Sequence, residues 1–456
     1  MTDLGLTAFL LAILTLGTRR PFVWVLAFIY VDLLVPQLIS YRILVHLPVS
    51  LIVFVAAFGG WLLLDEKEGT RFSVRQGMLL LFLIYCGLTT TQSAFPEAAW
   101  AKWSWVWKSL IWAVFMPLTL RTRLRSEAVI LTIVLTVGGI AISAGIKTLA
   151  SGGGGYGTLA AFVSDNAGIY EGSTLSTVAV AIIPLIFWLA RFGTVFPTDW
   201  RVWTFAVALA FACLLVPVGM QTRTGLLCIG VLTMLALRHA RRKAVWLGAI
   251  ALAAMVAIPF LPAQYTARME TIEAHQSDQS ASTRIAVWKW TLQRSFEQPF
   301  GGGFDAFLAN KFTVNIAQTE TAGSTTVVET DQIQDEGRAF HSGYFEVLGE
   351  QGWPGLFLWL GVHIIGLVQM ELIKRRLRNS DEPRARSDAA LANALQISHL
   401  VFMTGALFVG IAYQSFSYMI VALEIAHGYR VKGAGAKARR ERAAPSRAMK
   451  PLGASS

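Results

Sequence analysis

The chain is short of charge. Only 15% of its 456 residues are Asp, Glu, Lys or Arg, against about a quarter in soluble domains. That shortage excludes a soluble enzyme and a disordered chain. Cysteine is scarce as well. Cys86, Cys213 and Cys228 each lie in an apolar run, odd in number and without C-x-x-C spacing. A secreted disulfide scaffold is therefore excluded, and the three read as small buried hydrophobes. No basic region precedes the first apolar run. Thr2 and Asp3 stand before it and Arg19 and Arg20 after it, so it reads as a first span and not as a cleavable signal. There is no D-x-D pair to hold a divalent ion. No recognition fold or pattern of interleaved basic and aromatic residues points to nucleic acid.

Apolar surface is abundant. Hydrophobic residues make up 54% of the chain, and mean hydropathy is +0.53. Runs near the length of about 20 residues needed to cross a bilayer recur at 4–18, 21–38, 47–64, 78–93, 104–120, 128–148, 173–191, 202–219, 224–237, 244–261 and 353–371. A last stretch, 394–428, is long enough for two spans turned at Gln414, Ser415 and Ser417. The expected fold is an all-α polytopic membrane protein with about 12–13 transmembrane helices.

Basic clusters orient those spans. Arg121, Arg123 and Arg125 fall on one side, as do Arg238, Arg241, Arg242 and Lys243, and then Lys374, Arg375, Arg376 and Arg378. Leu149–Gly172 on the other side holds no Lys or Arg. The basic side is the inner one, so the N-terminus and the long segment after Pro262 lie outside. Much of the net charge of +11 is in these clusters and in the tail from Arg430 to Lys450, where it can also meet acidic lipid headgroups. The expected organisation is N-terminal helices over 1–150, central helices over 151–261, an outer loop over 262–340, C-terminal helices over 341–428 and a disordered basic tail over 429–456.

The outer loop is too long to be a plain connection. Ser280–Ser282 can cap a helix to about Glu297. Ile285, Trp288, Leu292 and Phe296 form an apolar stripe on it, with Arg284 at the edge. Such a helix suits the membrane interface. The stretch 313–336 is acidic and Thr-rich without a clear period, and is expected to be mobile. Another helix starts near His341, with Tyr344 and Phe345 on the same face and Glu350 about half a turn away.

Arg223, Arg284 and His341 all map to the outer face. Singly, each has a plain alternative: an arginine at a helix end anchors to headgroups, and a lone interfacial histidine can be structural. Together, two guanidinium groups can grip a diphosphate, and a neutral imidazole can take a proton from a hydroxyl.

At these residues the chain resembles the O-antigen ligase and polymerase superfamily. His341 followed by Glu350-Gln-Gly352-Trp-Pro-Gly355-Leu is similar to its signature. Thr222-Arg223-Thr224-Gly225 resembles its Ser-Arg-x-Gly element. Arg284-x-x-x-Trp288 with Pro299-Phe-Gly-Gly-Gly303 resembles a further element. Thr222 stands for the usual Ser, and Ser342 where Asn often follows the His. In the N-terminal third, Arg19-Arg-Pro-Phe22, Gly152–Tyr156 and Asp165-Asn166 resemble putative O-glycosylation ligases associated with exosortase systems.

The resemblance implies a GT-C-like, metal-independent, inverting glycosyltransferase without a cofactor, in the bacterial inner membrane with its site facing the periplasm. It implies a glycan donor on undecaprenyl pyrophosphate and an acceptor hydroxyl on lipid A-core, another glycan or a protein. His341 would be the base, Arg223 and Arg284 the diphosphate ligands, and Glu350, Asp165 and Tyr344 supporting residues. A polymerase using the same donor and a lipid-linked oligosaccharide transporter are the alternatives.

Overall fold

The computed structural model describes residues 2–40, 42–67, 71–151, 168–238, 242–245, 248, 279–322 and 325–443. The expected span 244–261 and the sequence 152–167, with Asp165 and Asn166, fall largely or wholly outside them.

The described residues are mostly helical. The helices are α1 (Thr2–Arg19), α2 (Phe22–Leu34), α3 (Pro36–Ile39), α4 (Val49–Leu64), α5 (Val74–Thr91), α6 (Pro96–Thr119), α7 (Arg123–Ser151), α8 (Gly172–Phe192), α9 (Trp200–Gly219), α10 (Arg223–Leu237), α11 (Gln279–Glu297), α12 (Gly343–Leu377), α13 (Pro383–Gly405) and α14 (Ser415–Ala443). Five of these, α5, α7, α8, α9 and α12, are long and apolar enough to cross a membrane, and α2, α4 and α10 are shorter apolar helices. Phe205, Val207 and Phe211 of α9 and Leu62, Leu63 and Leu64 of α4 are exposed. Apolar side chains turned outward in this number belong against lipid. The protein is a multi-pass, all-α membrane protein.

Local signals set the helix starts. Ser73 and Gln76 form a capping box on α5. The Glu171 carboxylate accepts from the Ser173 and Thr174 amides at the start of α8, and Asp199 caps α9. Between α13 and α14 the chain turns over residues 406–414, and α14 starts at the polar Ser415. α8 is the most enclosed helix and packs against α7, α9, α10 and α13.

Two outcomes depart from the sequence expectations. The stretch expected to be irregular forms an antiparallel hairpin, β1 (Lys311–Ala322) with β2 (Thr325–Glu336), in register from Lys311↔Glu336 to Ala322↔Thr325. Its Thr and Val content favours extended backbone. Asn310 closes the base: its side chain donates to the Arg338 carbonyl at 2.7 Å and accepts from the Arg338 amide at 3.0 Å. The second departure is α14, which continues to Ala443 past the expected tail boundary at 429. Ala, Lys, Arg and Glu, good helix formers, dominate that stretch.

Candidate functional site

The site is assembled by α11, by the start of α12 and by the 406–414 turn. In α11 the buried face is Thr283, Val287, Thr291 and Ser295, each one turn apart. The stripe of Ile285, Leu292 and Phe296 is exposed, as a helix lying in an interface requires. Trp288 turns between these faces. Its indole stacks on Phe345 at 5.1 Å and 5°, and its Nε1 donates to the Phe340 carbonyl at 2.8 Å. Trp288 therefore pins the backbone immediately before His341. Arg284, one turn earlier on α11, reaches the same place.

A backbone clasp fixes the other side. α12 is kinked at Gly352, with φ +62° and ψ −166°, and Pro354 follows. Such a kink strands helical donors and acceptors. The Pro299–Gly303 turn supplies their partners. Gly302 N donates to Gly349 O at 3.0 Å, Gly303 N to Glu350 O at 2.9 Å, and Trp353 N to Pro299 O at 2.9 Å. A side chain at Gly301, where φ is +90°, would strike the Glu350 carbonyl, and one at Gly352 the Pro299 carbonyl. Both glycines are required by close approach as well as by positive φ.

These supports enclose a cavity of about 400 Å³ lined by Arg284, His341, Glu171, Ser173, Thr174, Lys102, Glu346 and Gln414, among others. His341 sits at φ +48°, in the left-handed region that histidine enters more readily than most side chains. Its ring opens to the cavity but is surrounded by enough protein to disfavour a charge. That desolvation, with the nearby Arg284 guanidinium, pushes its pKa below the ordinary value, against a weaker opposite pull from Glu171. The shift favours the neutral ring, the form that accepts a proton.

The other expected residues divide. Arg223 is the first residue of α10. It is not among the lining residues. Its neighbour Thr222 donates to Ser176 Oγ of α8 at 2.8 Å, which sets it beside the same α8 turns that present Glu171, Ser173 and Thr174. Glu350 is fully buried and does not face His341. It accepts from Lys102 Nζ at 2.7 Å and from the Asp305 amide at 3.0 Å. Tyr344 packs edge-on to Trp359, and its hydroxyl donates to the Met403 carbonyl at 3.2 Å. Asp165 lies outside the described residues.

Three charged cavity residues were not anticipated: Lys102, Glu171 and Glu346. Lys102 also donates to Glu346 Oε1 at 2.8 Å, while Glu346 Oε2 accepts from the Ala412 amide at 3.1 Å. The signal for Lys102 was there, since two acids four residues apart entering a membrane span call for a cation. Among the described residues, no group of three His, Cys, Asp or Glu side chains has metal-holding geometry.

Residues 208–360 match the O-antigen ligase family. That stretch of the chain is an O-antigen ligase domain and supports a place in that superfamily. Residues 1–194 match a family of unknown function (DUF5935). No curated protein matches the chain. The cavity draws on both matched regions: Arg284, His341 and Glu346 come from the ligase domain, while Lys102, Glu171, Ser173 and Thr174 come from the N-terminal region.

Proposed function

We propose that the protein is a membrane glycosyltransferase that moves a glycan from undecaprenyl pyrophosphate to an acceptor hydroxyl on lipid A-core, another glycan or a protein, at the periplasmic face of the bacterial inner membrane. The observation that carries this reading is the convergence of His341 and Arg284 on one cavity within a ligase domain. The neutral His341 takes the proton from the acceptor hydroxyl as its oxygen attacks the anomeric carbon from the face opposite the diphosphate, which inverts that centre. Arg284, with Arg223 from the neighbouring helix start, takes up charge on the departing diphosphate. The leaving group is already activated, so no nucleotide is required. Glu350 acts through Lys102, as a positioning residue. A polymerase would use the same donor with a second lipid-linked glycan as acceptor.

The deciding experiment supplies purified enzyme with an undecaprenyl-pyrophosphate-linked glycan and candidate acceptors and identifies the product. His341→Ala is expected to abolish transfer with donor affinity and thermal stability retained. Substantial turnover by that variant would remove His341 as the base. The orientation is tested separately with a membrane-impermeant thiol reagent on a cysteine-free background. Position 320 should be labelled in intact spheroplasts and position 437 protected, and the reverse pattern would overturn the topology.

A further inference from the structure

A second cavity, of about 680 Å³, adjoins the first. The two share Lys102, Gly168, Glu346, Gly410 and Gln414 in their walls. The larger one is lined by Asp32 of α2, Lys108 and Ser109 of α6, and Ser415 at the start of α14. Of these only Ser415 was singled out by the sequence, as part of a turn, and the transfer mechanism uses none of them.

Asp32 is the informative member. It stands in an apolar helix and shares the cavity wall with Ser415 and Lys108. Ser415 Oγ lies 2.7 Å from Ser109 Oγ, and the two hydroxyls line the same cavity as the Asp32 carboxylate. Asp32 Oδ2 is out of contact with solvent and has no hydrogen-bond partner among the described residues. An unpaired buried acceptor of this kind is destabilising, so a donor arriving with a ligand would be well received.

Charge selects the kind of ligand. The larger cavity formally carries Asp32, Asp305 and Glu346 against Lys102 and Lys108. Acids outnumber bases there, and a diphosphate is disfavoured. An isoprenoid chain has no donor to offer Asp32. A neutral polyhydroxyl ring fits: its hydroxyls donate to Asp32 and exchange hydrogen bonds with Ser109, Ser415 and Gln414, and Trp105 and Phe416 offer aromatic surface to its C–H face. We propose that this cavity is the acceptor-sugar site, with Asp32 and Ser415 as its specificity-determining residues, and that the acceptor hydroxyl enters the His341 cavity past Lys102 and Gly410. The proposal rests on the glycosyl-transfer reading above and names its second substrate pocket.

The test uses the full-length protein in nanodiscs with two kinds of probe. Saturation-transfer NMR is recorded with methyl glycosides of glucose, galactose, mannose, N-acetylglucosamine and a heptose. Sugar-free undecaprenyl pyrophosphate is followed by thermal stabilisation. At least one glycoside should give signals. Its affinity should fall about tenfold in Asp32→Asn, the loss expected for one charge-assisted hydrogen bond, and fall less in Ser415→Ala. Arg284→Ala should leave the glycoside signals and lose the stabilisation by undecaprenyl pyrophosphate. Thermal unfolding of each variant without probe confirms folding.

Three results would overturn the site: no glycoside binding by a wild type that binds undecaprenyl pyrophosphate, glycoside signals unchanged in both Asp32→Asn and Ser415→Ala, or signals abolished by saturating undecaprenyl pyrophosphate. The last would assign the cavity to the donor. Failure of the wild type to bind undecaprenyl pyrophosphate, with Asp32-dependent glycoside signals intact, would instead remove the donor reading and keep the sugar site.

Discussion

Two of the buried charge networks among the described residues differ in what they face. At the cavity wall, Lys102 is held by Glu346 at 2.8 Å and Glu350 at 2.7 Å, with Asp305 at 3.5 Å. In the interior, Arg75 of α5 donates to Glu424 of α14 at 2.7 Å and to the Val362 carbonyl at 3.1 Å. Glu424 is 2.8 Å from His399 Nδ1, and His399 Nε2 is 2.7 Å from His363 Nδ1. The interior network joins α5, α12, α13 and α14 with one acid to one arginine and lines neither of the cavities that meet at Lys102. The wall network sets three acids around one lysine beside open space. Balanced charge in a closed interior is architecture. Unbalanced charge at a cavity wall is a surface prepared for something else to complete.

The comparison breaks first at Arg75. Arg75→Met strands Glu424 away from water, and stranding one member of a buried pair is destabilising by about 3–5 kcal/mol. We expect little folded protein by detergent size-exclusion and a large fall in unfolding temperature. The double variant Arg75→Met/Glu424→Leu should recover most of it. Lys102→Met should cost less, because Glu346 borders the cavity and both carboxylates keep a backbone donor, Glu346 from Ala412 and Glu350 from Asp305. Equal losses at both sites would show that the two networks do the same job.

Next in size are effects on the reaction. Arg284→Lys keeps the charge but loses the planar fork, and transfer should fall about 10²–10³-fold with unfolding temperature unchanged. Near-normal transfer would leave Arg284 with a structural role beside His341. Gly352→Ala tests the clasp. Positive φ for a residue with a Cβ costs about 1–3 kcal/mol, and the contact with the Pro299 carbonyl adds to it. Both stability and transfer should drop, because the turn that seats α12 also seats Glu350 beside Lys102.

These cases show how much of the protein its sequence made legible. The spans were readable because each is an apolar run bounded by polar or basic residues. Gln414 and Ser415 marked the last turn for the same reason. His341 and Arg284 were readable through position and motif. The glycine pattern was visible, but its cause was not: Gly301 and Gly352 answer to a backbone pairing between residues 299–303 and 349–353, which no local period records. The hairpin was missed because its Thr-rich strands were judged by hydrophobic alternation and not by β-branching. Glu424 with Arg75 and Lys102 with Glu346 were hidden because a charge pair between helices is chosen by packing. Each side chain alone looks like an isolated cost in an apolar helix.

The smallest expected effect is the most specific to the wall region. Burial and the Arg284 guanidinium both lower the His341 pKa. A histidine with a lowered pKa stays neutral, and so stays a base, to a lower pH than a free one. Transfer by the wild type, measured from about pH 5 to 8, should therefore hold through the ordinary histidine range and fall only on its acid side. Arg284→Gln removes the second cause and leaves burial and the weaker pull of the Arg338 guanidinium. Its residual activity should begin to fall at a higher pH than that of the wild type, while the interior network, which does not line the cavity, contributes nothing to the difference. Glu171→Gln should act in the opposite direction, since the Glu171 carboxylate raises the pKa of His341; its acid limb should move to lower pH. Opposite displacements in the two variants would tie the titrating group to the point between Arg284 and Glu171 where His341 sits. Displacements of the same sign, or none, would assign the acid limb to another group.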